Sequence, residues 1–306
     1  MTDGKRNKER PHNKKGFVKN LWSYRELYLM MLPGFLYLLI NNYMPIGGLT
    51  LAFKKYDYSK GIAGSPWNGL SNFKFLFSTK DAALIIRNTL GYNFVFILLG
   101  TVFAIAVAII LNEIRANLPK KIYQIFILIP YLISMVVVSY IAFAFLSTDN
   151  GFINNSILHK KINWYMTPKY WPYILIFVNL WKSFGYNSII YYATVIGIDT
   201  SLYEAAVVDG ATGIKKIFYI VLPNLRESFV ITGIWGIVTA LKVFVEPMVM
   251  TGGGPGNATR TLYMYIYNTA FKYFDMGYAS AMAFVLSGLI LLFSLINLMV
   301  SKGENE

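Results

Sequence analysis

Lys182 stands inside an apolar run, in Phe177-Val178-Asn179-Leu180-Trp181-Lys182-Ser183-Phe184-Gly185-Tyr186-Asn187, near the middle of a stretch long enough to cross a bilayer. An ionisable group at that depth is costly and marks a functional position by default. Asn179, Lys182 and Tyr186 are three and four residues apart, which puts them on one face of a helix. Asn187 and Tyr191 extend the polar and aromatic set, with Trp181 and Tyr192 nearby. Amides and hydroxyls that both donate and accept hydrogen bonds, beside aromatic rings, suit the binding of a sugar. Asn179, Lys182, Tyr186, Asn187 and Tyr191 are therefore the candidate lining of a path for a polar solute. A plainer account also fits: Lys182 pairs with a neighbouring helix or snorkels, and the tyrosines belong to the core or the interface. Lys242 and Glu246, four apart, pose the same choice between a local ion pair on one helix face and a place in the path.

The chain carries no candidate catalytic residues. It has no acid/base dyad, nucleophile elbow or metal-ligating cluster, and no Gly-x-x-x-x-Gly-Lys-Ser/Thr loop for nucleotide phosphates. Cysteine is absent, which excludes disulfides, thiolate metal sites and a cysteine nucleophile. His12 and His159 both fall in polar segments and read as solvated. If ATP drives this protein, another chain hydrolyses it.

The elements that must position the polar residues are membrane helices. Hydrophobic residues make up 56% of the chain and charged residues only 14%, with a mean hydropathy of +0.47. A soluble domain carries about 25% charged residues. The net charge of +13 is not a nucleic-acid signature, because the basic residues collect at the ends of apolar spans. Six such spans are expected near 27–48, 88–112, 122–146, 171–195, 229–250 and 276–300. They divide the chain into a basic tail, 1–26, a six-helix transmembrane domain, 27–300, and a short C-terminal tail, 301–306. The first tail holds eight Lys or Arg and no cleavage site follows it, so the first span stays attached and the tail faces the cytoplasm. Segments then assigned inside carry fifteen basic residues against eleven outside, which supports that orientation. Pro33 and Pro130 fall inside spans, where neighbouring helices can take up the freed backbone groups. Outside, Asn72 to Phe77 is expected to form a short interfacial helix, and residues 251–258 read as a flexible glycine-rich turn.

The stretch from Ser201 to Arg226 lies between two spans but is not itself membrane-like. Ser201 and Glu204 stand at capping-box spacing, which predicts a helix starting at Ser201. Gly210 can end it in a left-handed conformation. Thr212 can cap a second helix over Ile214 to Val221, with Pro223 just past its end. Such a pair offers Leu202, Tyr203, Ile217, Phe218 and Ile220 to an apolar partner, and Glu204, Asp209, Lys215 and Lys216 to a polar one. It is a docking device or a packed interfacial loop that closes the bundle.

The residues Glu204-Ala205-Ala206, Asp209-Gly210-Ala211, Phe218, Ile220, Leu222-Pro223 and Leu225 closely resemble the cytoplasmic EAA loop of the membrane subunits of ABC importers, the binding-protein-dependent permeases. Glu227 departs from the pattern, since these loops often carry a second proline there. The glycine-rich 251–258 loop, and the run from Phe244 to Ala281 around it, are similar to sugar-importing members. The resemblance covers roughly residues 27 to 300. It implies an all-α integral membrane fold of the type I importer permease, with six transmembrane helices and a coupling loop within 196–228. Glu204, Ala205, Ala206, Asp209, Gly210, Ala211, Phe218, Leu222 and Pro223 would make the contact with the ATPase. The chain would form half of a translocation path for an oligosaccharide or related carbohydrate. The resemblance further implies a second homologous permease, two ATPase subunits that carry ATP and Mg, and an extracytoplasmic substrate-binding protein. No cofactor is expected on this chain, and no nucleic acid as partner. The setting would be the lipid of a bacterial cytoplasmic membrane, crossed several times with both termini inside. The alternative is an ion-coupled secondary transporter. Such folds show internal repeats and midplane ion sites, whereas this chain shows no repeat and almost no acidic residue within its spans.

Overall fold

A computed structural model describes residues 22, 24–78, 80–211, 213–243 and 245–302. Most of the basic tail, Thr212 with its expected cap, and residues 303–306 lie outside the described residues. The chain divides into two units, 1–50 and 51–306. The first holds helix α1 (Arg25–Leu38), a π turn at Leu39–Tyr43 and the start of a 3-10 stretch, Met44–Phe53, whose last three residues belong to the second. The run Arg25–Phe53 is apolar and long enough to cross a membrane. Pro33 sits inside α1.

In the second unit, the expected short helix is present as α2 (Ser71–Ser78). A long helix, α3 (Lys80–Glu113), forms the next span, followed by α4 (Asn117–Leu132) and α5 (Met135–Leu146). The stretch 122–146 is therefore not one straight helix: α4 and α5 meet at 91°. Ile133 and Ser134 are both extended at this break, and the Ser134 hydroxyl accepts from the Val137 N–H to start α5. Helix α6 (Trp171–Val195) is 25 residues long, about 37 Å at 1.5 Å per residue. That length is enough to cross the hydrocarbon core, while Asn179, Lys182, Ser183 and Asn187 lower its hydropathy.

Two short helices follow, α7 (Thr200–Val208) and α8 (Ile214–Asn224), then α9 (Arg226–Ala240), bent by 66° from α8, and α10 (Val245–Thr251). The expected span 229–250 is thus broken between Ala240 and Val245. The Val243 carbonyl freed there accepts from the Thr261 hydroxyl at 2.8 Å. The chain ends with α11 (Leu262–Phe271) and α12 (Met276–Lys302). The glycine-rich segment before α11, expected to be a flexible turn, is tied to α3. Asn88 donates to the carbonyls of Asn257, Ala258 and Arg260, and the Tyr92 hydroxyl to that of Ala258. The Leu262 N–H donates to the Thr89 hydroxyl at 2.8 Å.

The core of this unit is built along α3 and α6. Tyr92 and Phe96 of α3 meet Trp171, Leu175 and Val178 of α6 and Met135 and Val138 of α5. Further along, Ala104 and Ala108 are fully buried against Tyr191 and Val195. Small residues at such crossings let helix backbones approach closely, which drives association where lipid removes the hydrophobic difference. A close approach falls at Gly185, where a Cβ would lie 1.8 Å from the carbonyl oxygen of Ile127 in α4.

Candidate functional site

A cavity of about 340 Å³ opens between α3, α6 and α9. Asn179, Lys182, Tyr186, Asn187 and Tyr191 all line it, so the helical spacing that grouped them does bring them to one wall. They do not contribute alike. Tyr191 is 1% exposed, and its hydroxyl is 2.6 Å from that of Thr232, so it mainly holds α6 to α9. Tyr186 is half-open to the cavity and stacks on Tyr131 of α4, with centroids 4.5 Å apart and planes 12° off parallel. Trp235 of α9, 60% exposed, adds a third ring to the lining. Trp181 packs in the core instead, and Tyr192 lies under the Lys120 ammonium.

Lys182 turns inward to the broken third span. Its Nζ donates to the carbonyls of Pro130 at 3.3 Å, Tyr131 at 3.5 Å, and Ile133. These are carbonyls at the C-terminal end of α4 that the break leaves without helical partners. A cation there also meets the negative end of the helix dipole. The neighbouring-helix account of Lys182 is the one the geometry supports, and the ammonium satisfies the carbonyls that the bend frees. Lys182→Met keeps the length and removes the donors, and should disturb the α4–α5 junction. In a chain otherwise free of cysteine, spin labels at Ile125→Cys and Tyr140→Cys should report a shifted or broadened distance for Lys182→Met and a retained one for Lys182→Arg. An unchanged distance in Lys182→Met would falsify the clamp.

Lys242 and Glu246 do not form the local ion pair expected on one helix face. The helix breaks between them, and the ion pairs among the described residues are Lys60–Asp57 and Lys161–Asp149. Both instead line the cavity. Thr232, Trp235 and Thr239 were not singled out from the sequence. Their spacing of three and four along α9 carried the signal, the same pattern as in α6.

The stretch after α6 forms the expected bent pair, with changed ends. Asp199, not Ser201, caps α7: its carboxylate accepts from the Ser201 N–H at 2.9 Å. Those hydrogen bonds from Ser201 hold the Asp199 carboxyl below the usual range. Asp199 lies just ahead of the first turn, so its oxygen reaches a free N–H and the capping box is not needed. Glu204 is exposed on α7. At the other end Gly210 has φ +72. The Ala211 N–H reaches the Ala206 carbonyl and the Gly210 N–H the Val207 carbonyl, the paired bonds of a Schellman stop. The second helix does not stop at Val221. It takes a π turn over Ile217–Val221 and continues to Asn224, with Pro223 inside it. Proline is tolerated there because it opens the last short segment.

The pair is anchored by Tyr203, Val221, Leu222 and Leu225, which pack on Ala104, Ala108, Tyr191 and Val195. Burial raises the Tyr203 phenol, and the Glu113 carboxylate adds to it. Of the side chains expected to face an apolar partner, Leu202 and Phe218 are exposed, while Ile220 is buried and Tyr203 and Ile217 are half-buried. Val207, Val208, Ile214 and Tyr219 take their place on the outer surface. Ala205, Asp209, Gly210 and Pro223 are also exposed, whereas Ala206, Ala211 and Leu222 are half-buried. The cavity wall and this surface share a support, because Tyr191 belongs to both.

Comparison with known proteins follows this geometry. The family described as binding-protein-dependent transport system inner membrane component matches residues 100–304. The polygalacturonan/rhamnogalacturonan transport system permease protein YteP of Bacillus subtilis (strain 168) is 32% identical over 88% of this chain and 85% of its own length. A bacterial ABC transporter involved in importing the acidic polysaccharide alginate has a chain that superposes with a TM-score of 0.85 at 28% identity, covering 94% of this chain and 99% of that one. The alginate transporter in complex with its pentasaccharide-bound periplasmic protein gives 0.81 at 27% identity, over 92% and 96%.

Proposed function

The chain belongs to the binding-protein-dependent transport system inner membrane components, and from that premise we propose that it is the permease subunit of an ATP-driven importer of a carbohydrate. Family membership removes the ion-coupled alternative. The observation that carries the substrate class is the cavity wall, where the stacked Tyr131 and Tyr186, Trp235, Asn179 and Asn187 combine rings with amides. The sugar polymers named for YteP and for the alginate transporter support it. The cavity is one half of a path, and a second homologous permease supplies the other half. Two ATPase subunits bind ATP and Mg and dock on the exposed surface of α7 and α8, and an extracytoplasmic binding protein delivers the sugar. ATP binding closes the ATPases, the docked loops move with them, and the cavity switches from facing in to facing out.

Both termini and the docking loop lie in the cytoplasm in this reading. A cysteine at Ser156, in the loop between α5 and α6, should then react with an impermeant reagent from outside; labelling from inside only overturns the orientation. The function itself is tested by reconstituting the chain with its partners in proteoliposomes. Sugar should accumulate only with ATP and binding protein, and Tyr186→Ala and Asn187→Ala should each slow uptake while the ATPases still co-purify. ATP hydrolysis or uptake by the chain alone would contradict the assignment, and normal uptake by both variants would move the path away from α6.

A further inference from the structure

Resting on the reading of the cavity as a carbohydrate path, we propose that its cargo is an anionic glycan and that Lys242 meets the cargo's carboxylate. Three side chains in the lining are of charged type: Lys182, Lys242 and Glu246. Two of them are already provided for. An ammonium has three N–H donors, and those of Lys182 have three acceptors, the carbonyls of Pro130, Tyr131 and Ile133. Nothing remains for a guest. Glu246 stands in the first turn of α10, where unpaired N–H groups and the helix dipole favour a negative charge.

Lys242 has only the second kind of support, the negative end of the α9 dipole that it follows, and no side-chain acceptor. It sits at the break between α9 and α10, is exposed, and makes no ion pair or side-chain hydrogen bond among the described residues. The three charges sum to one positive charge in a wall otherwise made of rings, amides, hydroxyls and aliphatic groups. An exposed ammonium is satisfied by water, and one that gains a carboxylate exchanges that water for a charge-assisted hydrogen bond. A neutral sugar leaves the Lys242 ammonium to water alone, whereas each uronate unit brings a carboxylate that can meet it. The rings of Tyr131, Tyr186 and Trp235 would take the apolar faces of the same sugar. Lysine suits this task because its compact, flexible charge can follow a carboxylate that moves along the path.

The test uses the full importer in proteoliposomes, offered a mixed digest of neutral glucans and xylans together with oligouronides from pectin and alginate. Mass spectrometry of the lumen reads what enters with ATP. Uronides should dominate. Lys242→Gln should lower their uptake about tenfold or more, the scale of one hydrogen bond to a charged group, and Lys242→Arg should restore most of it. Entry of neutral sugars without uronides overturns the inference and leaves the carbohydrate reading standing. Unchanged uronide uptake in Lys242→Gln, or equal loss in Lys242→Gln and Lys242→Arg, overturns the role of the charge. ATP-dependent turnover with no glycan of either kind in the lumen overturns the carbohydrate reading itself.

Discussion

Replacing Gly185 by valine should leave little or no folded protein in the membrane. At this position a Cβ would sit 1.8 Å from the Ile127 carbonyl oxygen and 2.6 Å from its carbon. Those are backbone atoms of a packed helix, so no rotamer change relieves the clash. Overpacking in an ordinary core costs about 1–3 kcal/mol because side chains can shift; here α4 and α6 must separate. Separation pulls Lys182 from the end of α4 and Tyr186 from Tyr131, since both contacts cross the same pair of helices. Gly91→Ala in α3 is the control, because a Cβ there meets nothing within 4 Å, and alanine favours the helix. Immunoblots of isolated membranes and thermal midpoints in detergent should separate the two. Normal levels and normal uptake for Gly185→Val would overturn the close crossing of α4 and α6.

The same crossing shows what the sequence could tell and what it could not. Of the six expected spans, those at 27–48, 88–112 and 276–300 were legible as single apolar helices because length and hydropathy are local properties. The short helix at Asn72–Phe77 was legible for the same reason, and Gly210 because a left-handed stop needs only its own backbone. The breaks were not. The chain bends at Ile133–Ser134, and Lys182, some fifty residues away in sequence, donates to the freed carbonyls. Val243 is freed at the second break and met by Thr261. Apolar runs such as 122–146 read as continuous until the distant donor is known. The expected cap at Ser201 was two residues too late: Ser201 lies inside α7, and Asp199, with ψ 127, has the non-helical backbone that a cap requires. The cavity was half legible. The α6 wall followed from spacing, while the matching Thr232, Trp235 and Thr239 on α9 became meaningful once the two helices faced each other.

Glu204→Gln and Gly210→Val should uncouple the transporter while leaving it inserted. The structure sharpens this expectation, because Asp199 caps α7 and Glu204 is left exposed with no part in the cap. Glutamine at 204 therefore removes a charge from the surface without disturbing the helix start. If that carboxylate meets a basic group on an ATPase subunit, its loss removes a charge-assisted hydrogen bond, and uptake should fall about tenfold. Gly210 acts differently. At φ +72 a β-branched side chain is strained by roughly 1–3 kcal/mol, and the Schellman bonds from Ala211 and Gly210 would be lost with the turn. Val207 and Val208 on α7 and Ile214 and Phe218 on α8 would then no longer present one surface. Uptake should fall further than in Glu204→Gln, and the ATPases should be recovered poorly with the membrane subunits. Neither Glu204 nor Gly210 lines the cavity, so insertion and sugar contacts should persist. Measuring ATP-dependent uptake beside co-purification distinguishes loss of docking from loss of fold. Normal uptake in both variants would take the coupling role away from this surface.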